Sequence, residues 1–436
     1  MGVAATTPEQ IDTRFGVDEA VFLLITAVAT WAGNEFGEGA DASPWFGQTP
    51  FGVPMHYVLF GLLLIVAVPY VLASPRFPLT SRLREMGLLW PLFAGAAAMA
   101  LSLTIGILRG VPELFADWRN LVVTAVTAVY AGKWLAGRSW KRFVVTDLAT
   151  LYGLLAIPDL VEYALGGGTF VLGVRTPVFE GTALYLASFS AIVAAWTLLE
   201  SNPGLGARRT LWLRLGGIAG SLLVLTSFRR SFWLVWGIGL IFVVFLYLRS
   251  RDVRPARLFA AAIGAAILVF AAVATLGTET VVPRLGSFLP TGSGPYSATN
   301  EDHLNDIADA WTIISEDPIL GFGIGRRYET SLIADWKTES FEVHNAVLHV
   351  WLKFGIAGAV VYVWFHLALV RAAARRRHMA PVGAFIVAQL AATVFGTWPY
   401  GRFQMAIFLG LVIASISVAP AISAKKRPAP LELEFA

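Results

Sequence analysis

Two arginines and a histidine carry the clearest chemical signals in this sequence. Arg229-Arg230 lie in a very short polar turn between two apolar stretches, and His344-Asn345 stand where a long polar segment meets another. A histidine is the natural general base near neutral pH. Asn345 can cap a helix or hydrogen-bond the imidazole. Two guanidiniums at a helix N-terminus suit a diphosphate, because forked donors and free backbone N–H groups converge on it. Each signal has a plainer alternative. The arginines can snorkel to lipid phosphates, and the histidine can be an interfacial residue beside a capping asparagine.

Other residues could assist such chemistry. Gly321, Gly323 and Gly325 precede Arg326 and Arg327. Alternating glycines resemble a nucleotide fingerprint, but no strand–helix–strand unit surrounds them. A tight backbone that presents the two arginines is the better reading. Arg284, Arg175 and His303 are further candidates for phosphate or sugar contacts. Asp159 and Glu162, beside Pro158, are candidate acids or sugar hydrogen-bonders, or merely solvated interfacial groups. His349 and Lys353 share a helical face at i and i+4, and Lys353 is a charge inside an apolar stretch, which marks function or a packing device. No carboxylate or histidine spacing calls for a metal, and the chain has no cysteine for thiolate ligation, disulfides or nucleophilic thiol chemistry.

The elements that position these residues are membrane spans. The 436 residues are 56% hydrophobic and 14% charged, well below the charge of soluble domains. Apolar stretches recur over nearly the whole length. The expected spans are Ala20–Trp31, Tyr57–Ala73, Leu88–Leu108, Leu121–Leu135, Val144–Leu165, Ala183–Leu199, Thr210–Phe228, Phe232–Leu248, Leu258–Leu276, Ala346–Val370, Ala380–Phe395 and Phe403–Ile422. The expected fold class is therefore all-α, a polytopic membrane bundle of about twelve transmembrane helices. Residues 1–276 would hold spans one to nine, 277–345 a large extracytoplasmic loop, 346–422 the last three spans, and 423–436 a tail. The acidic leader, with Glu9, Asp12, Asp18 and Glu19 against Arg14, has the wrong charge for a secretory signal, so the first helix is expected to be retained.

Basic residues test this map independently of hydropathy. Arg76/Arg82/Arg84, Lys133/Arg138/Lys141/Arg142, Arg208/Arg209/Arg214, Arg249/Arg251/Arg254/Arg257, Arg371/Arg375/Arg376/Arg377 and Lys425/Lys426/Arg427 all fall between spans or at span ends on the same side. That side is expected to be cytoplasmic, with both termini on it. A net charge of +4 dispersed in this way gives no groove for nucleic acid. The long loop opens with an irregular Leu285–Ser297. Leu304, Ile307, Ala308, Trp311 and Ile314 then recur at helical spacing, with Asp302, Asp306 and Asp309 on the other face. An amphipathic helix against the bilayer or bundle is expected, ended by Asp317-Pro318.

The run Asp317-Pro-Ile-Leu-Gly-Phe-Gly-Ile-Gly325, followed by His344-Asn345 and a helix with Phe354-Gly-Ile-Ala-Gly358, resembles the O-antigen ligase and polysaccharide polymerase superfamily. Arg230-Ser-Phe-Trp-Leu234 is similar to the family's Ser-Arg-containing helix start. The likeness covers roughly Leu222–Tyr362. It implies a membrane transferase similar to the GT-C architecture, bacterial inner-membrane localisation, and inverting transfer of a glycan from an undecaprenyl-diphosphate carrier without metal, nucleotide sugar or other cofactor. By that likeness His344 would activate the acceptor hydroxyl, and Arg230 with loop arginines would hold the diphosphate. The acceptor would be a glycan, a lipid or a protein. Where many relatives carry arginine near the start of the loop helix, this chain has His303, and Pro177-Val-Phe-Glu180 replaces an Asn often found after the position of Arg175.

A polymerase and a ligase differ only in acceptor. The departures fall on acceptor-side candidates, which leans toward a polymerase. The competing readings are a transporter or flippase, which would depend on in-membrane charges such as Lys353, and a non-enzymatic scaffold, which would tolerate loss of His344.

Overall fold

A computed structural model describes residues 17–31, 79–111, 114–136, 143–171, 174–176, 181–200, 205–227, 229–249, 254–278, 297–326, 328–333, 336–340, 343–394 and 403–418, with a few isolated positions between them. The expected span Tyr57–Ala73 and the tail 423–436 lie outside them. Every other expected span coincides with a helix. These are α1 (Val17–Trp31), α3 (Leu89–Leu108), α4 (Leu114–Ala136), α5 (Val144–Ala164), α6 (Gly181–Leu199), α7 (Ala207–Thr226), α8 (Arg230–Leu248), α9 (Pro255–Leu276), α11 (Ala346–Ala374), α12 (Ala380–Ala392) and α13 (Phe403–Val418). A short polar helix, α2 (Leu79–Met86), precedes α3, and the loop helix is α10 (Ser297–Glu316). Two antiparallel hairpins complete the described elements, β1 (Thr169–Val171) with β2 (Val174–Thr176) and β3 (Tyr328–Ile333) with β4 (Trp336–Ser340).

The fold is thus a polytopic membrane helix bundle. Among the described residues, six helices are long and apolar enough to cross a membrane, and α12 and α13 are shorter apolar helices. Small residues let their backbones approach, as expected where lipid removes any hydrophobic drive between helices. Gly153 of α5 lies directly on Gly216 of α7, and Gly217 and Gly220 of α7 lie on Ala194 and Ala187 of α6. Aromatic rings fill the centre. Phe408 meets Tyr152, Phe189 and Phe385 edge-on at 6.2, 5.1 and 5.7 Å, and Thr30 of α1 donates to the Tyr152 hydroxyl at 2.9 Å. Toward the opposite end, Asp147 and Arg209 form a buried ion pair at 3.7 Å, with the guanidinium 4.1 Å from the Phe143 ring.

One expected span is divided. Gly355 inside α11 has φ 68 and ψ −178, outside the helical region. The backbone N–H of Ala346 donates to the Thr393 carbonyl at 2.9 Å, while the Tyr362 side chain hydrogen-bonds Thr393 as well. A straight helix would separate residues 346 and 362 by about 24 Å, too far for both to reach one threonine. The chain therefore bends sharply at Gly355. Residues 346–354 form a short arm, and the helix of 356–374, about 28 Å long, is the part that can cross a bilayer.

Candidate active site

The glycine run explains that bend. A break in a helix orphans backbone groups, which must find new partners. Phe322 and Gly323 donate their N–H groups to the carbonyls of Leu352 and Lys353 at 2.7 and 3.1 Å, and Ile356 N–H donates to Pro318 at 3.1 Å. Ser102 of α3 adds a hydroxyl to the Lys353 carbonyl at 2.7 Å, and Trp351 Nε1 donates to Pro318 at 2.7 Å. Gly321, Gly323 and Gly355 all have positive φ, and a Cβ on any of them would strike backbone: Gly355 for the first, Gly106 for the second, Ile319 for the third. The run from Asp317 to Gly325 is thus a backbone clasp that holds the elbow of α11 shut. The expected tight backbone is present.

The clasp also gathers charge. Arg109, one residue past α3, pairs with Asp317 at 2.5 Å and donates to the Gly321 carbonyl at 3.1 Å. Its guanidinium stands 5.0 Å from the Phe322 ring, and that of Arg326 stands 5.9 Å from the same ring. Arg326 is exposed. Arg109 was not among the residues expected from sequence. Its signal was available, since a lone cation at the outer end of a span opposes the orientation rule just as Arg229-Arg230 do.

At the start of α11 the sequence places His344 and Asn345 as expected, and Asn345 is the cap. Its Oδ1 accepts from Leu348 N–H at 3.0 Å, and its Nδ2 donates to the Val394 carbonyl at 3.1 Å. That second bond, with Ala346 to Thr393, ties the arm to the end of α12 and fixes the direction in which His344 points. The His344 side chain is about one-quarter exposed. Its ring faces the ring of His303, centroids 4.6 Å apart, so α10 delivers His303 to the same place.

α10 turns a mixed face to the protein. Leu304 and Trp311 are exposed, which suits a helix lying against the bilayer, and the buried line runs through Asp306, Ala310 and Ile314, the last two packed with Val343 and Leu352. Asp306, read as part of the polar face, is therefore turned to the protein. Asp306 is fully buried. Its Oδ2 accepts from the backbone N–H of His344 at 2.7 Å and lies 3.1 Å from His344 Nδ1. Sequence reasoning missed this contact. The signal was the i, i+4, i+8 series Asp306-Ala310-Ile314, masked by the more hydrophobic stripe through Leu304 and Trp311.

Arg229 and Arg230 open α8, which begins without a side-chain cap. Trp233 donates to the carbonyls of Val224 and Leu225, both at 3.1 Å, which pins the tight turn between α7 and α8. Phe232 stacks edge-on against Tyr185 at 4.7 Å, Tyr185 lies beside Tyr362, and Tyr362 bonds Thr393. This chain of contacts joins the first turn of α8 to the start of α11 at one end of the bundle. Of the remaining expected residues, Arg175 is paired with Phe170 in the β1–β2 hairpin, while Arg284 and Arg327 lie outside the described residues. Asp159 is buried near the end of α5 and Glu162 packs over Gly167. His349 and Lys353 are buried in the short arm, where His349 Nδ1 lies 3.4 Å from Val343 N–H.

A multi-span helical bundle with basic and histidine groups gathered at one end defines an integral membrane protein whose candidate chemistry lies at the ends of its helices. Residues 215–363 match the family model described as O-antigen ligase. These residues run from α7 through the elbow of α11, the region where the motif resemblance lies, and the match bears out that resemblance to the O-antigen ligase superfamily. An O-antigen ligase of Salmonella typhimurium is 30% identical over 90 residues, which cover 18% of this chain and 22% of that protein.

Proposed function

We propose that the protein transfers a glycan from an undecaprenyl-diphosphate carrier to an acceptor hydroxyl at the outer face of the bacterial inner membrane. The observation that supports this reading is the pairing of His344 with His303 at the foot of α11, which the contacts of Phe232, Tyr185, Tyr362 and Thr393 link to the doubly basic start of α8, within a stretch that matches the ligase family. His344 takes the proton of the acceptor hydroxyl, whose oxygen attacks the anomeric carbon from the side opposite the diphosphate. The carbon–oxygen bond to the diphosphate breaks, and its electron pair leaves with that group. The sugar configuration inverts. Arg230, Arg229 and the first-turn N–H groups of α8 hold the charge that develops on the leaving group, which is the main catalytic contribution. Arg326, with Arg284, Arg327 and Arg175, supplies further phosphate or sugar contacts, and no metal or nucleotide takes part. The acceptor is a second lipid-linked glycan or a terminal lipid or protein.

Deletion of the gene followed by complementation tests this reading, with the surface glycan sized on a gel. His344→Ala and Arg230→Ala should each lower glycan transfer at least about 100-fold while the protein still reaches the membrane. Single-repeat product would mark a lost polymerase, and full-length chains held on the carrier lipid a lost ligase. Full complementation by both variants would refute the mechanism.

A further inference from the structure

A buried carboxylate is strongly disfavoured unless strong donors meet it. Asp306 is fully buried on the same line of α10 as Ala310 and Ile314, and its Oδ2 accepts the His344 backbone N–H at 2.7 Å and lies 3.1 Å from His344 Nδ1. The asymmetry is informative. The carboxylate is fully buried, while the histidine side chain is about one-quarter exposed.

We infer that Asp306 is a positioning residue for His344, fixing the ring so that Nδ1 carries the proton and Nε2 is the basic nitrogen presented to the acceptor. This rests on the transferase reading above. The backbone bond from His344 N–H holds the carboxylate at the level of the ring, and the Nδ1–H bond to the same oxygen sets both ring angle and tautomer. In the reaction Nε2 gains the hydroxyl proton, so the ring becomes a cation with both nitrogens protonated. Asp306 then faces that cation at hydrogen-bond distance and stabilises it. The proton leaves Nε2 for solvent after the product departs, and the Nδ1 proton never transfers. His303, with its ring 4.6 Å from that of His344, would line the path by which the hydroxyl approaches.

A structural role is the competing account, since Asp306 also holds a backbone N–H at the foot of α11. The purified full chain in nanodiscs, given lipid-linked oligosaccharide extracted from cells lacking the gene, separates the two. Asp306→Asn should lower kcat on the order of 100-fold or more, with KM for the lipid-linked probe within about 3-fold. In a His344→Ala background the same substitution should change the residual rate less than about 2-fold, because its effect passes through the ring. An Asp306→Asn enzyme within about 3-fold of the parent kcat overturns the inference, and so does an equal loss in both backgrounds. A second measurement covers the case in which the variants do not fold. In unmodified protein with 15N-labelled histidine, assigned by His344→Gln, the neutral ring should be protonated at Nδ1; protonation at Nε2 overturns the inference. That readout needs no turnover, so absence of any glycan product from the parent protein would sink the transferase reading while leaving Asp306 decided.

Discussion

His303 stands where the family resemblance would place an arginine, and the structure sets its ring against that of His344. Its ring lies 4.6 Å from that of His344, close enough to share a bound sugar or phosphate oxygen. An arginine there would add a fixed charge and a longer reach, whereas an imidazole contributes one or two hydrogen bonds at short range. His303→Ala should therefore raise KM for the acceptor about 5- to 10-fold with a smaller change in kcat, and His303→Arg should recover most of the affinity. Steady-state kinetics with varied acceptor check this, and a kcat loss as large as that of His344→Ala would move His303 into the proton-transfer step. At this scale His344 was legible because histidine, asparagine and an apolar run in sequence have a clear physical reading. Asp306 was not, because a one-dimensional stripe ranks faces by hydrophobicity. The face that α10 turns to the protein was chosen by a partner 38 residues away.

Among elements, the division of α11 matters most for function, because it turns one expected span into an arm that carries His344 and a helix that crosses the bilayer. Hydropathy cannot see this division, since residues on both sides of Gly355 are apolar. The Phe354-Gly-Ile-Ala-Gly358 motif was visible, but its meaning depends on Asp317–Gly325 supplying backbone partners across the gap. Gly355 has a positive φ and its missing Cβ is the space occupied by the Ile319 carbonyl, so Gly355→Ala is strained in conformation and in space. The variant should still insert but lose most transfer activity. Limited proteolysis from the loop side should cut the 317–326 segment faster by an order of magnitude or so. Gly237→Ala is the control, because a Cβ at Gly237 of α8 meets nothing within 4 Å, and it should keep parental activity and protease resistance. Equal sensitivity of the two variants would show that the clasp does not depend on the elbow. Arg109, which grips the clasp through Asp317 and Gly321, is the contact through which α3 joins the same unit.

For the whole molecule the open question is which way the bundle faces. Lys and Arg concentrate between spans on one side, so the rule that positive loops stay inside predicts the α2 side in the cytoplasm and the α10 loop outside. The proposed transfer requires that sidedness, because a carrier-linked glycan destined for the surface would be finished on the outer face, where no nucleotide sugar is supplied. The chain offers a direct test because it contains no cysteine. Glu316 at the end of α10 and Arg84 in α2 are both exposed and sit on the two expected sides. In spheroplasts, Glu316→Cys should react with a membrane-impermeant maleimide within minutes, while Arg84→Cys should react only after permeabilisation. The reverse pattern would place His344 and Arg230 in the cytoplasm and remove the basis for carrier-linked transfer at the outer face. Labelling of both sites before permeabilisation would mean that an even number of crossings separates them, against the seven expected between Arg84 and Glu316, so one of the spans from Leu88–Leu108 to Leu258–Leu276 would be the segment to re-examine. Strong labelling at Glu316 alone fixes the side on which the arm of α11 meets its substrate. Acceptor hydroxyl and the start of α8 would then share one aqueous boundary, which the proposed displacement of a diphosphate requires.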